Sequence, residues 1–401
     1  MKRVLFVGED QPLWQEIRNQ PASFSGEWSA EFAHTSPEAL AWAEQGDFDA
    51  VVADVQLFNM CGVDLLDEIL RRQPRALRIV LSEQGDLEST LKCIGKAHHH
   101  LLKPCDLGQI LTTLNQGFTL ETWLPSKTVQ ALIGKMRWIP SPPNLYFQIA
   151  IEMESPAASV ETIAKIIAQD PPISAKILQL ANSAVFGLQL QVNDPVEAVA
   201  YLGLEATRTL VLLAHTFSEF DHLPRSGFSV DELWFHSVLV GQFSREIALL
   251  EQQSTDLGEQ AYAAGLLHDL GKVLFAANLP TPFSQALGMA RQGKARLDCA
   301  ERNVLGASHA EVGACLLGIW GLPTPIVEAV ALHHQPAFAS QRIFGPLTAV
   351  HAADVFAHQM APENSTLPLG LDLCYLKQLG LLERAELWRR HCHDLNVEAA
   401  L

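Results

Sequence analysis

The first 120 or so residues alternate short apolar runs with segments whose apolar residues recur at helical spacing. The runs cover residues 4–7, 50–53, 78–81 and 100–102, and helical patterns such as 12–18, 36–45 and 63–72 separate them. A buried strand followed by an amphipathic helix, repeated along a chain, is typical of parallel sheets with helices on both faces. This part of the sequence therefore predicts an α/β fold with a doubly wound parallel sheet.

Polar residues follow each of these predicted strands. They are Glu9, Asp10, Asp54, Ser82 and Lys103. Functional sites of such sheets lie beyond the carboxyl ends of the strands, so we expect these side chains to meet at one edge. The carboxylates suit Mg²⁺, the lysine suits an anionic group, and the hydroxyl suits a phosphoryl oxygen. The pattern indicates phosphoryl transfer to a carboxylate, with Asp54 as the nucleophile.

These residues, together with the pair Lys103-Pro104, resemble the receiver domain of two-component response regulators over residues 1–118. The resemblance implies a flavodoxin-like fold, a phosphoacceptor at Asp54, switch residues at Ser82 and Lys103, and a sensor histidine kinase as partner. It also implies Mg²⁺ in an acidic pocket formed by Glu9, Asp10 and Asp54. An ungapped match places one acid of the family's pair on Gly8, so we expect weaker Mg²⁺ binding unless Asp10 substitutes for it. The proline usual at Phe58 is also missing.

Prolines mark the end of this region. Pro125 and the segment Ile139-Pro140-Ser141-Pro142-Pro143 break helical patterns, which places a linker at residues 119–139. From Leu145 onward no strand pattern remains, and helical patterns cover 159–169, 173–182, 195–201 and 207–217, with Ser159 and Thr162 suited to a first turn. The second half is therefore predicted to be all-α.

An adjacent His268-Asp269 pair follows an apolar run and precedes Gly271 and Lys272. Further histidines follow or sit within apolar helical patterns: His236, His309, His333, His334, His351 and His358, and Asp354 lies one turn after His351. Each alone is typical of a buried core histidine. Together they could converge on the Asp269 carboxylate and hold one or two metals, a site that hydrolyses phosphate esters.

Several segments resemble the HDOD domain, a branch of the all-helical HD superfamily. They include Asp170-Pro171-Pro172, residues 175–183, 265–272 and 309–313, and His333-His334. The resemblance implies an HDOD domain at 140–340 and a helical extension at 341–401 that packs on it or supports dimerisation. It implies a superfamily metal set of His236, His268, Asp269, His309, His333, His334 and Asp354 that takes a divalent ion such as Mn or Fe. HDOD proteins generally lack demonstrated activity, and the Gly-Tyr-Pro signature of cyclic-dinucleotide phosphodiesterases is replaced after His334 by Gln335-Pro336. The catalytic residue stays open, with Lys272 as a candidate.

Two functions follow. The leading one is a phosphorylation-dependent response regulator whose HDOD output module binds a protein partner or a nucleotide messenger; the downstream partner is unknown, and a cyclic-dinucleotide signalling enzyme is one candidate. The rival is a metal-dependent phosphohydrolase or phosphodiesterase regulated by the receiver.

A net charge of −17 without a basic cluster argues against direct DNA binding. No apolar run is long enough for a membrane span or a signal peptide, so we expect a cytoplasmic protein, with reduced cysteines.

Overall fold

The computed structural model divides the chain into two compact units, one containing Met1–Pro125 and the other containing Ser126–Leu317 and Pro323–Leu401. The structure describes residues 2–8, 12–19, 28–55, 57, 62–73, 76–83, 99–103, 105–111, 113–114, 129, 132–133, 136, 143–153, 155, 157–182, 192–218, 228–252, 254–320, 322–339, 342–360 and 370–400. The predicted linker at 119–139 lies almost entirely outside these residues, as do Glu9, Asp10 and Phe58.

The first unit contains a five-stranded parallel sheet in the order β2-β1-β3-β4-β5. The strands are β1 (Lys2–Val7), β2 (Trp28–Ala33), β3 (Ala50–Asp54), β4 (Leu77–Glu83) and β5 (His99–Lys103). The helices between them are α1 (Pro12–Asn19), α2 (Ser36–Gln45) and α3 (Gly62–Arg72), and residues 107–111 and 113–114 are also helical. The doubly wound sheet predicted from the sequence is confirmed.

The central strands β1, β3 and β4 are buried on both faces of the sheet, and for this reason their sequences are almost continuously apolar. One face of the sheet packs Leu5, Val51 and Val80 against α2 and α3, and the other packs Phe6, Val52 and Ile79. Strand β2 was not predicted. It lies at the edge of the sheet, and only its end residues, Trp28 and Ala33, are buried, so it lacks the apolar run that marks the others.

The described part of the second unit is helical and contains no strand, as predicted. Its helices are α4 (Asn144–Met153), α5 (Val160–Ile167), α6 (Pro171–Ala181), α7 (Pro195–Leu202), α8 (Leu204–Ser218), α9 (Val230–Gln252), α10 (Thr255–Leu267), α11 (Leu270–Asn278), α12 (Pro280–Arg291), α13 (Leu297–Leu305), α14 (His309–Ile319), α15 (Thr324–Leu332), α16 (Pro346–Met360), α17 (Leu373–Gln378) and α18 (Arg384–Ala400), with a short 3₁₀ turn at Pro336–Phe338. No helix among the described residues is both long and apolar enough to cross a bilayer.

Side-chain caps set several helix starts. Ser159 and Thr162 form a reciprocal capping box at α5, and the Asp170 and Asp194 carboxylates accept N–H groups at the starts of α6 and α7. Helix α9 begins at Val230, and Ser229 Oγ accepts the N–H of Glu232 at its start. His236 consequently lies in the second turn of α9.

Helix α16 lies inside the bundle, and all its residues from Pro346 to Ala357 are buried. Helix α18 contacts the surface of α9, where Glu251 Oε1 accepts hydrogen bonds from Arg384 and from Trp388 Nε1 at 2.7 and 2.8 Å. The C-terminal segment is therefore of two kinds: α16 contributes to the core of the bundle, and α18 covers it.

Candidate metal centre and phosphoacceptor pocket

The carboxyl edge of the sheet brings three of the predicted receiver residues together. Asp54 ends β3 and is 3% exposed, and the Lys103 ammonium at the end of β5 forms an ion pair with its carboxylate. Asp54 is in register with Leu81 of β4, so the buried Ser82 is the next residue along the neighbouring strand. This edge presents a carboxylate paired with an ammonium, and a serine follows on the neighbouring strand.

Seven predicted metal ligands lie on or at the ends of six helices and converge between them. They come from α9 (His236), the α10–α11 junction (His268 and Asp269), α14 (His309), the end of α15 (His333 and His334) and α16 (Asp354). These residues form three overlapping groups, and within each group the ligand atoms lie within 4.8 Å of one another. The groups are His236, His268 and Asp354; His268, Asp269 and His333; and His309, His333 and His334. The convergence expected from the sequence is present in the fold.

The Asp269 carboxylate faces two sides of this cluster. Its Oδ2 lies 3.3 Å from His268 Nε2 and 3.8 Å from His236 Nε2, whereas its Oδ1 lies 3.1 Å from His309 Nε2. The Asp354 Oδ1 lies 3.1 Å from His236 Nε2 and 3.6 Å from His268 Nε2. The Asp269 carboxylate thus lies between two sets of imidazoles, one on each side.

Hydrogen bonds outside the cluster fix the tautomers of three histidines. His268 Nδ1 donates to Gly265 O at 2.7 Å, His333 Nδ1 to Val330 O at 2.8 Å, and His309 Nδ1 to Glu301 Oε2 at 2.6 Å. Because Nδ1 carries the proton in each case, the neutral ring presents a lone pair on Nε2 to the cluster. Among the described residues the buried His333 Nε2 has no hydrogen-bond partner, and the Nε2 atoms of His268 and His309 face the two oxygens of Asp269. Buried polar atoms of this kind call for an ion.

The charge balance of the cluster also favours a bound cation. Three buried carboxylates, Asp269, Asp354 and Glu301, face one ammonium, that of Lys272, which donates to Asp269 Oδ2 at 2.5 Å. Buried anions of this number need further cations. The described residues of this cluster can therefore accommodate divalent metal.

The histidine pKa values respond to this field in opposite directions. Burial lowers the pKa of His236 to about 4 and holds that of His333 well below its usual range. Burial also opposes protonation of His268 and His309, but nearby carboxylates outweigh it, Asp269 and Asp354 for His268 and Glu301 and Asp269 for His309. Their pKa values rise to about 10 and about 9. Without a metal ion, the rings of His268 and His309 therefore carry protons, and their positive charge balances the nearby carboxylates.

Close packing of two helices requires the glycine at position 271, two residues after Asp269. A Cβ on residue 271 would lie 2.0 Å from His309 O and 2.9 Å from Gly313 N, both backbone atoms. Only a residue without a side chain lets α11 approach the start of α14 this closely. The glycine thus brings the Asp269 carboxylate within reach of the His309 ring.

Two neighbours of the centre lie outside the metal set that the family resemblance implies. Glu301 is fully buried on α13, and its carboxylate accepts both the backbone N–H and Nδ1–H of His309. His358 lies one turn after Asp354, and its Nδ1 is 2.9 Å from Asp354 Oδ1. The spacing of four residues on one helix face could have indicated His358. No local signal marks Glu301, because its contact depends on how two helices pack.

His351 belongs to none of the three groups of ligand atoms found among the described residues. Its Nε2 accepts the backbone N–H of Asp372 at 2.9 Å, and its Nδ1 donates to His333 O at 2.7 Å. These two bonds tie the segment before α17 to the backbone of a candidate ligand. His351 is therefore a support for His333.

Family models match two parts of the chain: the response regulator receiver domain at residues 4–115 and the HDOD domain at residues 139–336. Among curated relatives, an uncharacterized protein of Treponema pallidum is 25% identical over 52% of the chain, and the transcriptional regulator NtrC of Rhizobium meliloti is 27% identical over 31%. The aligned regions span 40% and 25% of those proteins.

Two solved structures share the helical fold. An HDOD domain protein of unknown function from Geobacter sulfurreducens aligns with a TM-score of 0.58 and 23% identity, covering 70% of this chain and 96% of that one. A Shewanella amazonensis protein described as a candidate phosphohydrolase aligns with a TM-score of 0.52 and 20% identity, covering 69% and 98%. At these identities the likeness establishes the fold alone.

Proposed function

The chain joins a response regulator receiver domain to an HDOD output domain, and from this premise we propose a phosphorylation-controlled, two-metal phosphohydrolase. Asp54 is the phosphoacceptor, and the cluster around Asp269 is the output site. One observation carries the assignment of the output site. Hydrogen bonds at Nδ1 turn the Nε2 atoms of three buried histidines toward the cluster, and the Asp269 carboxylate lies between these rings with one oxygen toward His268 and the other toward His309.

The receiver supports nucleophilic chemistry at Asp54. A receiver domain implies a histidine kinase as donor: a carboxylate oxygen of Asp54 forms a bond to phosphorus while the phosphorus–nitrogen bond of the donor's phosphohistidine breaks, returning the imidazole. The Lys103 ammonium would stabilise the added negative charge, and Ser82, which follows the register partner of Asp54 on β4, would offer its hydroxyl to a phosphoryl oxygen. Receivers typically bind Mg²⁺; here Asp54 supplies one carboxylate, whereas Gly8 supplies no side-chain oxygen.

The residues of the output site fit a pair of divalent ions. His236, His268 and Asp354 would hold one, and His309, His333 and His334 would hold the other, with Asp269 between them. Such ions polarise a phosphate ester and lower the pKa of water, which is the chemistry of ester hydrolysis. The Glu301 carboxylate keeps the His309 ring oriented and makes it a better ligand.

Substrate would enter on the side where the cluster is least buried. The side chains of His236 and His358 are 19% and 27% exposed, and that of Lys272 is 12% exposed, whereas His268 and His309 are fully buried. The Lys272 ammonium lies beside Asp269 on this side of the cluster, and it would bind an anionic oxygen of the ester.

Elemental analysis followed by turnover tests this assignment. Purified protein loaded with Mn²⁺ or Fe²⁺ should retain close to two ions per chain and hydrolyse a cyclic dinucleotide or a simple phosphate ester. Asp354→Asn should lose metal and turnover, while His393→Ala, on the exposed face of α18, should keep both. An absence of bound metal in the wild-type protein would refute the two-metal centre.

A binding module without turnover is the second candidate. It is favoured by the chain after His334, where Gln335 leads into a 3₁₀ turn at Pro336–Phe338 and offers no acidic residue. In that case the metal-loaded protein would bind a nucleotide messenger through its phosphates, or a protein partner, and leave the ester intact. Retained metal, tight nucleotide binding and no product would identify this function.

A further inference from the structure

A buried tryptophan lies beside the phosphoacceptor. Trp14, in the first turn of α1, is 2% exposed and packs on the Phe6 ring with 5.1 Å between centroids. Its buried indole N–H has no hydrogen-bond partner among the residues that the structure describes. A core position filled by an indole leaves a donor unsatisfied, a cost that phenylalanine would avoid. The nitrogen therefore calls for an explanation beyond packing.

The indole nitrogen occupies space that a side chain at residue 8 would need. An ideal Cβ on Gly8 would lie 3.1 Å from Trp14 Nε1 and 3.4 Å from Asp54 Cβ. The indole N–H and the phosphoacceptor thus border the same small volume, which Gly8 leaves open. The family resemblance places one acid of the metal-binding pair at this residue, and a longer side chain there would displace the indole. Gly8 and Trp14 therefore replace a carboxylate with a hydrogen-bond donor.

We propose that Trp14 is a phosphoryl-binding residue, whose indole N–H donates a hydrogen bond to an oxygen of the phosphoryl group carried by Asp54. The inference rests on the proposed phosphoacceptor role of Asp54. A phosphoryl oxygen supplies the acceptor that the buried N–H lacks, and hydrogen bonds to charged acceptors are stronger than neutral ones. The donor contacts the anion from the α1 side, while Lys103 contacts the carboxylate from β5. The pocket would hold its phosphoryl group with two donors of different kinds.

Indole N–H resonances report this bond directly. Full-length protein labelled with ¹⁵N-tryptophan gives up to eight indole signals, and Trp14→Phe assigns the relevant one. Phosphoramidate with Mg²⁺ is the donor: its phosphorus–nitrogen bond breaks, the bond to Asp54 forms, and ammonia leaves. Trp28→Phe is the matched control, because Trp28 is a buried tryptophan that packs on the same Phe6 ring at 6.2 Å.

The proposal expects the Trp14 indole signal to move downfield on phosphorylation, and to stay in place in Asp54→Asn. It also expects the acyl phosphate of Trp14→Phe to hydrolyse about tenfold faster than that of Trp28→Phe, the size expected for one lost bond to an anion. A phosphorylated wild-type protein with an unmoved Trp14 signal and equal lifetimes in the two variants would overturn the inference and leave the phosphoacceptor role intact. A wild-type protein that takes no phosphoryl group at Asp54 would overturn both.

Discussion

Replacement of Gly271 by alanine should separate the two halves of the proposed metal centre. Gly271 lies at the start of α11, two residues after Asp269, and its Cα faces the backbone of His309 at the start of α14. The added Cβ would lie 2.0 Å from His309 O and 2.7 Å from His309 C. These are backbone atoms, so no side chain can rotate to make room.

The size of the effect follows from this overlap. Carbon and oxygen atoms in contact lie more than about 3 Å apart, so the two helix ends must separate by about 1 Å. A helix interior normally favours alanine over glycine by about 1 kcal/mol. Overpacking of a rigid site costs about 1–3 kcal/mol, so the net loss of stability should be up to about 2 kcal/mol. The 3.1 Å approach of Asp269 Oδ1 to His309 Nε2 would lengthen, which weakens the centre more than it weakens the fold.

Thermal unfolding and metal titration of Gly271→Ala test this reasoning. Gly288→Ala is the matched control, because Gly288 lies within α12 and a Cβ there would meet nothing within 4 Å. The control should bind metal normally and be slightly more stable, as expected for glycine to alanine in a helix. Gly271→Ala should bind metal at least tenfold more weakly. Wild-type metal affinity and melting temperature in Gly271→Ala would refute the idea that backbone contact sets the ligand geometry.

Three further changes probe the supports of the centre. Glu301→Gln keeps its size but removes the carboxylate that holds His309 Nδ1–H, so metal affinity should fall about tenfold or more in a competition titration with a chelator. His351→Leu breaks the link from Asp372 N–H to His333 O; we expect a loss of about 1–3 kcal/mol in urea unfolding and faster amide exchange at Asp372, and unchanged exchange there would contradict it. In metal-free protein the raised pKa of His268 stabilises the fold fully below pH 6.5, and this contribution should be lost as the pH rises through about 10. A pH series of urea unfolding measures it, and the same slope in Asp269→Asn would contradict the assignment.

Much of the fold was predictable because local signals agreed with the tertiary structure. The runs at 50–53 and 78–81 are apolar since those strands are buried on both faces, and Ser159 and Asp170 cap helices as their types suggest. Strand β2 escaped prediction because an edge strand has little apolar surface to bury.

The sequence by itself determined which residue types could form each site. An adjacent His268-Asp269 pair, histidines at apolar helices and Asp54 after a buried strand all have local signatures, because motifs report neighbours within a turn or a strand. Only the tertiary structure decided which groups touch: Glu301 rather than His351 holds a ligand ring, and His358 joins the cluster. These contacts join different helices or depend on a helix face, and their lengths depend on close packing such as that of Gly271 on His309. The sequence names the candidate ligands, and packing sets the distances that allow them to share an ion.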